Sequence, residues 1–518
     1  MTISEMLARN ARIYPEESAL IEITPGEKLR KEISWKEFDD RANRVANYLI
    51  SRGIGKGDKV IHLMFNSINW LEAYFGIIRT GAWAVPLSFR FTSRDIKYCV
   101  DIAEAKVMIL GKEFAERVAD IRSQMPTITD YLVVGENKTQ GMEDFQSLVD
   151  RASPESPGVV LKDEDACGLY FTSGTTGEPK PILLTHKNME CMAITESHHH
   201  YQTHEDNFIL LPPLYHTGAK MHWFGSLVVG SRATLLTEIS PQYIFEAVHN
   251  EGGTIVWLLV PWAQDILGAL ERKELRKEDY DLGRWRLMHI GAQPVPPSLV
   301  KHWKEYFPDM QYDTNYGLGE AAGPGCVHLG IENERKVGAI GKAGFNWETR
   351  IVDEEEGDVA QGKVGELLVR GDGVMKGYYK NPEKTAQTIK EGWLYTGDMA
   401  KMDSEGFIYL VDRKKDVIIT GGENIYPVEI EDVLRSHPKI YDAGVIGIPD
   451  ERLGEIVAAV INPKPVEELA EEDIEEFCKQ KLPRYKRPRR IIFGKVPRNP
   501  TGKIEKTKLR EKYANLTR

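Results

Sequence analysis

Helix-like and strand-like patterns alternate along the first part of the chain. Apolar residues recur at helical spacing in residues 39–53 and 69–81, and short apolar runs follow them in residues 59–65 and 83–88. Short apolar runs bounded by polar turns are typical of buried strands. The same rhythm returns in residues 182–197, 254–261 and 287–293. Strands that alternate with helices favour βαβ units with parallel sheets, so the pattern predicts an α/β fold.

The predicted secondary structure changes near residue 338, where short strands and turns replace the longer helical stretches. After residue 414, a loop, a helix, a strand and a further helix follow. A chain of 518 residues also exceeds what one hydrophobic core usually supports. We therefore predict a large N-terminal domain (residues 1–414) of mixed and parallel sheets flanked by helices, with a β-rich subdomain in residues 338–414. A small mobile α+β domain (residues 415–518) completes the prediction.

Charge and composition exclude several classes of protein. The chain carries 67 lysines and arginines against 78 aspartates and glutamates, a net charge of −11, which argues against a general binder of nucleic acid or of anionic membranes. The longest apolar stretch, Ile255 to Val260, is far too short to span a bilayer. The five cysteines form no C-x-x-C pair, and the first residues lack the apolar core of a signal peptide. We expect reduced thiols and a cytoplasmic location without membrane insertion.

The triple histidine His198, His199 and His200 raises the question of a metal site. Adjacent residues on a helix cannot all face one ion, so a surface or loop role is favoured over metal binding.

A Ser/Thr- and Gly-rich segment, FTSGTTGEPK in residues 171–180, is the first candidate for chemistry. Its two glycines let backbone amides turn inward, and its hydroxyls with Lys180 form a candidate anion cradle. The segment lacks the G-x-x-x-x-G-K-[ST] pattern, and a strand rather than a helix is predicted after it, so an ordinary P-loop is excluded. An ordinary hairpin turn stays an equal alternative for this segment taken alone.

Five further motifs follow in order: LPPLYHTG, NYGLGE, YTGD, VDRKKDVIITGGENIYPVEIE and NPTGKIEK. With FTSGTTGEPK, they make the chain resemble the superfamily of acyl-CoA synthetases, peptide-synthetase adenylation domains and firefly-type luciferases, and most closely its acyl-CoA ligase branch. The resemblance implies an enzyme that uses ATP and Mg²⁺ to convert a carboxylic acid to an acyl-adenylate. The acyl group then passes to the thiol of coenzyme A.

The resemblance assigns roles in adenylate formation to residues of several motifs. Lys503 would meet the charge that develops at the α-phosphate, and Glu320 and Thr176 would hold Mg²⁺, a cation that prefers oxygen ligands. Asp398 and Arg413 would bind the ribose, and the remaining residues would wrap the phosphates or frame the adenine. The residues implied for ATP or AMP are Thr172, Ser173, Gly174, Thr175, Thr176, Gly177, Lys180, Gly291, Ala292, Gln293, Asn315, Tyr316, Gly317, Asp398 and Arg413.

Thioester formation needs a thiol where pyrophosphate left, so one rigid site would serve both steps poorly. The resemblance implies a domain swing about Lys415 that withdraws Lys503. His216 would act as a gate between the acid and the thiol entrance, which makes it a third catalytic residue beside Lys503 and Glu320. The residues implied for coenzyme A are Gly421, Gly422, Glu423 and Lys486, although the basic run around Lys486 reads equally well as a solvated face.

The acyl pocket is expected to contain Thr217, Gly218, His222, Trp257, Val260, Leu318, Ala322 and Pro324. Small residues at Gly218, Gly317 and Ala322 leave room, and Trp223, Phe224, Trp257 and Trp262 are candidate flat walls or core residues. If even two of these aromatics face the pocket, an aromatic, alicyclic or medium-chain acid fits better than acetate or a long fatty acid.

Two positions depart from the family pattern, and three other functions stay open. Pro181 stands where glycine is common and removes an amide donor, and Gly319 replaces a threonine that touches the α-phosphate. A lost neutral hydrogen bond is worth about 1 kcal/mol, so we expect slower adenylation or a compensating water rather than an inactive enzyme. The alternatives are carrier-protein loading, a luciferase-like oxygenase and a non-catalytic nucleotide-binding protein. The acid, the direction of the reaction and the oligomeric state, including a homodimer, are left open.

Overall fold

The computed structural model describes residues 1–136, 139–172, 179–464, 468–498 and 504–513. The chain divides into two compact units. The first comprises Met1–Glu348 and Val369–Leu394, and the second comprises Thr349–Leu368 and Tyr395–Arg518. The predicted fold class, a mixed α/β architecture with a large N-terminal and a small C-terminal part, is confirmed. The predicted boundary after residue 414 stays a prediction.

The α-helices in the described residues follow in chain order. They are α1 (Ile3–Ile13), α2 (Trp35–Ser51), α3 (Ile68–Arg79), α4 (Ser93–Ala103), α5 (Ala115–Ala119), α6 (Phe145–Arg151), α7 (His186–His199), α8 (Thr217–Val229), α9 (Pro241–Glu251), α10 (Val260–Glu271), α11 (Pro297–Tyr306), α12 (Pro382–Thr388), α13 (Pro427–Arg435), α14 (Glu471–Lys481) and α15 (Lys506–Tyr513).

The strands in the same residues are β1 (Ser18–Thr24), β2 (Leu29–Ser34), β3 (Lys59–Leu63), β4 (Trp83–Pro86), β5 (Val107–Gly111), β6 (Asp130–Val134), β7 (Glu143–Asp144), β8 (Ala166–Thr172), β9 (Lys180–Thr185), β10 (Asn207–Leu210), β11 (Arg232–Leu236), β12 (Ile255–Leu259), β13 (Leu287–Gly291), β14 (Gln311–Asp313), β15 (Asn315–Leu318), β16 (Gly323–His328), β17 (Lys342–Ala343), β18 (Trp347–Val352), β19 (Gly365–Gly371), β20 (Gly377–Tyr378), β21 (Ile389–Lys390), β22 (Trp393–Met402), β23 (Ile408–Arg413), β24 (Ile418–Thr420), β25 (Glu423–Ile425), β26 (Ile440–Asp450), β27 (Gly454–Pro463) and β28 (Arg490–Phe493).

Two large sheets, both mainly parallel, form the first unit. One has the order β14-β13-β12-β10-β11-β1-β2, in which only the β1–β2 pair is antiparallel. The other has the order β20-β9-β8-β4-β3-β5-β6-β7, and its β20, β9 and β8 pair antiparallel. Their central strands are buried, which explains why the sequence shows unbroken apolar runs rather than alternation. A smaller antiparallel sheet, β15-β16-β17, also belongs to this unit.

The predicted alternation is confirmed by α2, β3, α3 and β4, which follow one another in chain order. The expected strand across residues 254–261 is partly wrong, because it ends at Leu259 and Val260 begins α10. Pro261 lies in the first turn of that helix, where its fixed φ and missing amide favour helix initiation. Val260 therefore starts a helix and is not a strand residue.

The second unit contains the C-terminal sheet, with the order β25-β24-β27-β26 and β28 beside β27. Its core packs α13 and α14 against this sheet through Ile430, Leu434 and Ile474. A further sheet has the order β18-β19-β22-β21, and β23 pairs antiparallel with β22 so that Asp398 lies opposite Arg413.

Two further properties of the chain concern its cysteines and its helices. All five cysteines are buried and none of them forms a disulfide, as the sequence predicted for reduced thiols. None of the helices in the described residues has the length and apolar character that a bilayer crossing requires.

Candidate active site

The candidate phosphate-binding segment connects two antiparallel strands of the first unit. Thr172 ends β8 and lies opposite Lys180, which begins β9. Pro181 lies within β9 opposite Phe171, so the residue that departs from the family pattern belongs to the strand. The predicted phosphate ligands Ser173, Gly174, Thr175, Thr176 and Gly177 lie outside the described residues.

Gly319 brings the NYGLGE segment against this hairpin. A Cβ atom at position 319 would lie 2.7 Å from the Thr172 methyl group and 3.0 Å from the Ile182 methyl group. The Thr172 methyl belongs to a β-branched side chain with few rotamers, so it cannot easily withdraw. The absence of a side chain at position 319 therefore leaves the space that the Thr172 methyl group occupies.

Glu320 follows at once and is held by a tyrosine that the sequence analysis missed. The Tyr378 hydroxyl donates a hydrogen bond of 2.9 Å to Glu320 Oε1, and the Glu320 carbonyl accepts from the Met375 amide. Burial, together with the Glu320 carboxylate, raises the pKa of Tyr378, so its hydroxyl keeps its proton and stays a donor. Glu320 thus presents a carboxylate of fixed orientation.

The residues predicted to frame adenine meet at the end of β13. A Cβ at Gly291 would lie 3.9 Å from both Asn315 Oδ1 and Trp257 Nε1, which places three segments around one point. Ala292 follows with φ of 66°, and Ala322 has φ of 62°. Non-glycine residues in this left-handed region cost free energy and cluster at functional sites.

The predicted acyl-pocket residues converge on the Trp257 indole. A Cβ at Gly218 would lie 3.6 Å from this ring, and the His222 ring lies 4.0 Å from it between centroids. Gly323 approaches the Gly218 amide, so the β15–β16 hairpin with Leu318, Ala322 and Pro324 borders the same region. Trp223 and Phe224 instead pack against Phe75 in the core.

His216 is the residue directly before α8. A buried lysine, which the sequence did not single out, holds the backbone around it. Lys220 Nζ donates to the carbonyls of Leu214 and His216 at 3.4 and 3.3 Å, and lies 4.2 Å from the Tyr170 ring. Burial lowers the pKa of Lys220 well below its usual value. Because Lys220 bridges both carbonyls, it positions the backbone that carries His216.

Behind the acyl pocket lies a group of four buried side chains, Glu196, His200, His222 and His289, which we call the Glu–His cluster. The expectation of a surface position is wrong for His200, which is fully buried in the turn after α7, while His198 is exposed. Helix α7 ends at His199, and His200 stands four residues after Glu196, on the same face of the chain.

Two more buried side chains, His328 and Asp313, extend the Glu–His cluster and add charge to it. His328 bridges Glu196 Oε1 at 3.2 Å and Asp313 Oδ2 at 3.3 Å. Burial alone lowers the pKa of His328, but the two carboxylates outweigh it and raise the pKa to about 9. Burial lowers the pKa of His200 to about 4 and that of His289 well below its usual value.

In the second unit, Asp398 and Arg413 form the predicted ribose pair. Arg413 Nε lies 2.7 Å from Asp398 Oδ1, and Asp398 is buried on β22. Lys414 pairs with Glu366 at 2.8 Å, so two ion pairs hold the residues directly before Lys415. Lys503 lies outside the described residues.

The predicted coenzyme A residues fall into two places of the second unit. Gly421 and Gly422 have φ of 57° and 86° and form the two-residue turn between β24 and β25, with exposed Glu423 at its end. Two central residues with positive φ are typical of the tight turn that suits glycine. Lys486 pairs with Glu429 at 2.6 Å.

Comparison with protein-family models decides the class. The model for AMP-binding enzymes matches residues 7–379, and that for the AMP-binding enzyme C-terminal domain matches residues 429–503. The chain belongs to the AMP-binding enzyme family. Within it, the relatives identify the chain as an adenylate-forming acyl-CoA ligase, an acid–thiol ligase that uses ATP, Mg²⁺ and coenzyme A.

Three similar proteins are examples of these relatives. Long-chain-fatty-acid–CoA ligase FadD13 of Mycobacterium tuberculosis is 32% identical over 524 residues, which cover 99% of this chain and 98% of the relative. The anthranilate CoA ligase AuaEII in complex with anthranoyl-AMP has a TM-score of 0.88 at 27% identity, covering 99% and 97%. The Bacillus subtilis O-succinylbenzoate coenzyme A synthetase MenE, with ATP and magnesium, has a TM-score of 0.83 at 25% identity, covering 98% and 99%.

For this AMP-binding enzyme, the described structure brings together Thr172, Gly319 and Glu320 in one place and Gly291, Asn315 and Trp257 in another. Sequence reasoning missed Tyr378, Lys220 and the partners of the Glu–His cluster. The one available signal for the cluster was the four-residue spacing of Glu196, near the end of a predicted helix, and His200, just beyond it.

Proposed function

We propose that this acyl-CoA ligase activates an aromatic, alicyclic or medium-chain carboxylic acid that lies against the Trp257 indole. The observation that supports this acid class is the position of the indole, next to Gly218 on one side and Gly291 on the other. Residues without side chains leave space beside the indole for a flat or flexible apolar group. Acetate would be too short to contact the indole, and a long acyl chain would have to extend beyond it.

For adenylate formation, we propose that Thr172 and Lys180 bind phosphate oxygens together with Ser173 to Gly177. Glu320 would hold Mg²⁺ with Thr176, and the carboxylate that Tyr378 orients is an oxygen ligand of the kind this cation prefers. Bound Mg²⁺ spreads the negative charge of the phosphates. Asn315 and Tyr316, with Gly291, Ala292 and Gln293, would orient the adenine.

In the second unit, we propose that Asp398 accepts hydrogen bonds from the ribose hydroxyls, with Arg413 beside it. The 2.7 Å ion pair supports this role, because it fixes the orientation of the carboxylate. Lys503 would donate to the α-phosphate and to the acyl oxygen as negative charge develops there. The acid carboxylate would attack the α-phosphorus and pyrophosphate would leave.

For thioester formation, we propose that a swing about Lys415 withdraws Lys503 and brings the Gly421–Gly422 turn to the thiol entrance. A turn without side chains suits a narrow passage for the pantetheine arm. His216 would gate this passage, and Lys486 would contact coenzyme A phosphate after leaving Glu429. The thiol sulfur then attacks the acyl carbon, and AMP leaves.

The test is product analysis with ATP, Mg²⁺, coenzyme A and a panel of acids, scoring AMP, ADP and thioester together. We expect AMP and thioester in equal amounts, with benzoate, cyclohexanecarboxylate or octanoate ahead of acetate and palmitate in kcat/KM. Trp257→Leu should reduce kcat/KM for the best ring acid by roughly 10- to 200-fold, the range for losing one apolar contact, and leave acetate unchanged. Palmitate or acetate as the best acid would refute the acid class.

Location and assembly complete the proposal. Five buried cysteines outside disulfides support a cytoplasmic enzyme, because reducing compartments keep cysteines in this form. We also propose a homodimer, and light scattering of the purified protein would distinguish it from a monomer.

A further inference from the structure

The Glu–His cluster gathers metal-binding atoms from three separate elements. Glu196 lies on α7 and His200 directly after it, His222 lies on α8, and His289 lies on β13. One ligand atom from each of the four side chains lies within 4.8 Å of the others, and all four side chains are buried. Packing of two helices on a sheet strand therefore converges four donors on one point inside the first unit.

Three of the six distances between these atoms lie close to those around a small cation. His222 Nδ1 lies 3.0 Å from Glu196 Oε2, His200 Nε2 lies 3.4 Å from the same oxygen, and His289 Nδ1 lies 3.0 Å from His200 Nε2. Four ligands at about 2.0–2.2 Å from Zn²⁺ in a tetrahedron lie roughly 3.3–3.6 Å from one another. A shift of a few tenths of an ångström would bring these three pairs to the tetrahedral spacing.

The donor types narrow the class of cation. Three imidazoles and one carboxylate form a nitrogen-rich set that suits Zn²⁺ and its first-row neighbours, whereas Mg²⁺ and Ca²⁺ prefer oxygen ligands throughout. Two carboxylates, Glu196 and Asp313, are also fully buried here. His328 bridges these two carboxylates, and a divalent ion would balance the negative charge that His328 leaves, at the point where the donors meet.

The surroundings resemble the outer shell that holds metal ligands in place. His328 bonds to Glu196 Oε1, the oxygen opposite the one that faces the other donors, and links it to Asp313. Asn315 Nδ2 donates to the same Oε1 at 3.1 Å. Outer partners of this kind fix ligand orientation and tune metal affinity.

We propose that the Glu–His cluster binds one divalent transition-metal ion of the zinc class, which holds the floor of the acyl pocket in place. Four protein donors complete a tetrahedron, so the ion has a structural role and no open position for substrate. Its effect reaches the pocket through two contacts already described. The His222 ring contacts the Trp257 indole, and Asn315, which borders Gly291, donates a hydrogen bond to Glu196. The site is separate from the Mg²⁺ that Glu320 serves.

The experiment measures metal in the full-length protein produced without a polyhistidine tag, from cells grown with and without added zinc. We expect about one ion per chain in the wild-type protein by elemental analysis after dialysis, matching the single closed site. His289→Gln and Glu196→Gln should lose the ion. His198→Gln, a change of an exposed histidine on the same helix, should keep it.

Cobalt provides a second readout that does not depend on activity. Wild-type protein made in cobalt medium should show the intense visible absorption of tetrahedral Co²⁺, and His328→Gln should bind cobalt about 10- to 100-fold more weakly, the usual loss for an outer partner. Circular dichroism checks that each variant is folded. The metal content of the wild-type protein tests the proposal by itself. The test therefore stands even if a variant fails to fold.

Wild-type protein without stoichiometric metal under either growth condition would overturn the site, and the six side chains would then form a hydrogen-bonded charge network. Equal metal in His289→Gln and the wild type would overturn it as well, because the ion would then lie elsewhere. Neither result bears on the ligase activity, which is measured with ATP and acid.

Discussion

At the scale of single residues, position 319 shows why a departure from the family pattern is tolerated. Gly319 lies against Thr172, whose methyl group fills the space where a side chain would begin. We predict that Gly319→Thr, which restores the family residue, does not improve the enzyme. Forcing a methyl-sized group into a filled site costs about 1–3 kcal/mol, so the thermal unfolding midpoint should fall and adenylation should slow.

A matched double variant removes the Thr172 methyl group and keeps the hydroxyl at position 172. Thr172→Ser combined with Gly319→Thr should recover most of the lost stability, because serine lacks the methyl group that Gly319→Thr would strike. Thermal unfolding and ATP–pyrophosphate exchange of the two single variants and the double variant measure the coupling. Additive effects in this cycle would show that the two positions do not share the space.

The hydroxyl of Tyr378 gives a second prediction at this scale. Tyr378→Phe removes the hydrogen bond to Glu320 and leaves the ring, so the carboxylate loses its fixed orientation. We expect the Mg²⁺ concentration for half-maximal adenylation to rise by about 10- to 100-fold, as for other outer partners of metal ligands. Tyr379→Phe, whose ring packs on Trp83, serves as the control and should behave like the wild type. An unchanged Mg²⁺ requirement in Tyr378→Phe would contradict the assignment.

At the scale of elements, Lys506 fastens α15 to the rest of the second unit. Its Nζ lies 3.1 Å from Glu431 on α13 and 3.7 Å from Asp412 on β23, and all three side chains are buried. Burial raises the pKa of both carboxyl groups despite the lysine beside them. We predict that Lys506→Met destabilises this unit by about 3–5 kcal/mol, because two buried carboxylates lose their partner.

The neighbouring Lys508→Met is the control for this prediction. Lys508 is exposed and pairs with Glu505 on the surface, where an ion pair contributes about 0–1 kcal/mol. Urea unfolding followed by hydrogen exchange in α13 and β26 measures both variants. Equal effects of the two substitutions would mean that Lys506 acts only through surface charge.

The same scale shows what sequence reasoning could reach. Periodicity predicted α2, β3, α3 and β4 because local spacing decides whether a segment is a helix or a strand. It missed the start of α10 at Val260, where Pro261 favoured a helix over the continued apolar run. Motif resemblance named Glu320 and Asp398, but it did not reach Tyr378 or His328. Those two approach their partners through packing of distant segments, which one sequence does not encode by spacing.

At the scale of the whole molecule, the two half-reactions should respond separately to two substitutions. Lys415→Pro should keep adenylate formation and block thioester formation, because a fixed φ stiffens the proposed hinge. Lys503→Ala should do the reverse, abolishing adenylation while transfer from supplied acyl-adenylate stays nearly intact. Single-turnover assays of each half-reaction measure this. Normal overall turnover in Lys415→Pro, or equal loss of both steps in Lys503→Ala, would rule out these roles.

The burial of all five cysteines has a practical consequence for observing this motion. Burial raises the pKa of Cys191 to about 12 and that of Cys478 to about 11, so these thiols resist alkylation in the folded chain. Fluorescent dyes could therefore be attached through one cysteine introduced at Lys28 and another at Tyr441, both exposed and one in each unit, without first removing the native thiols. Energy transfer between the dyes during turnover would then time the change from adenylation to thioester formation in single molecules.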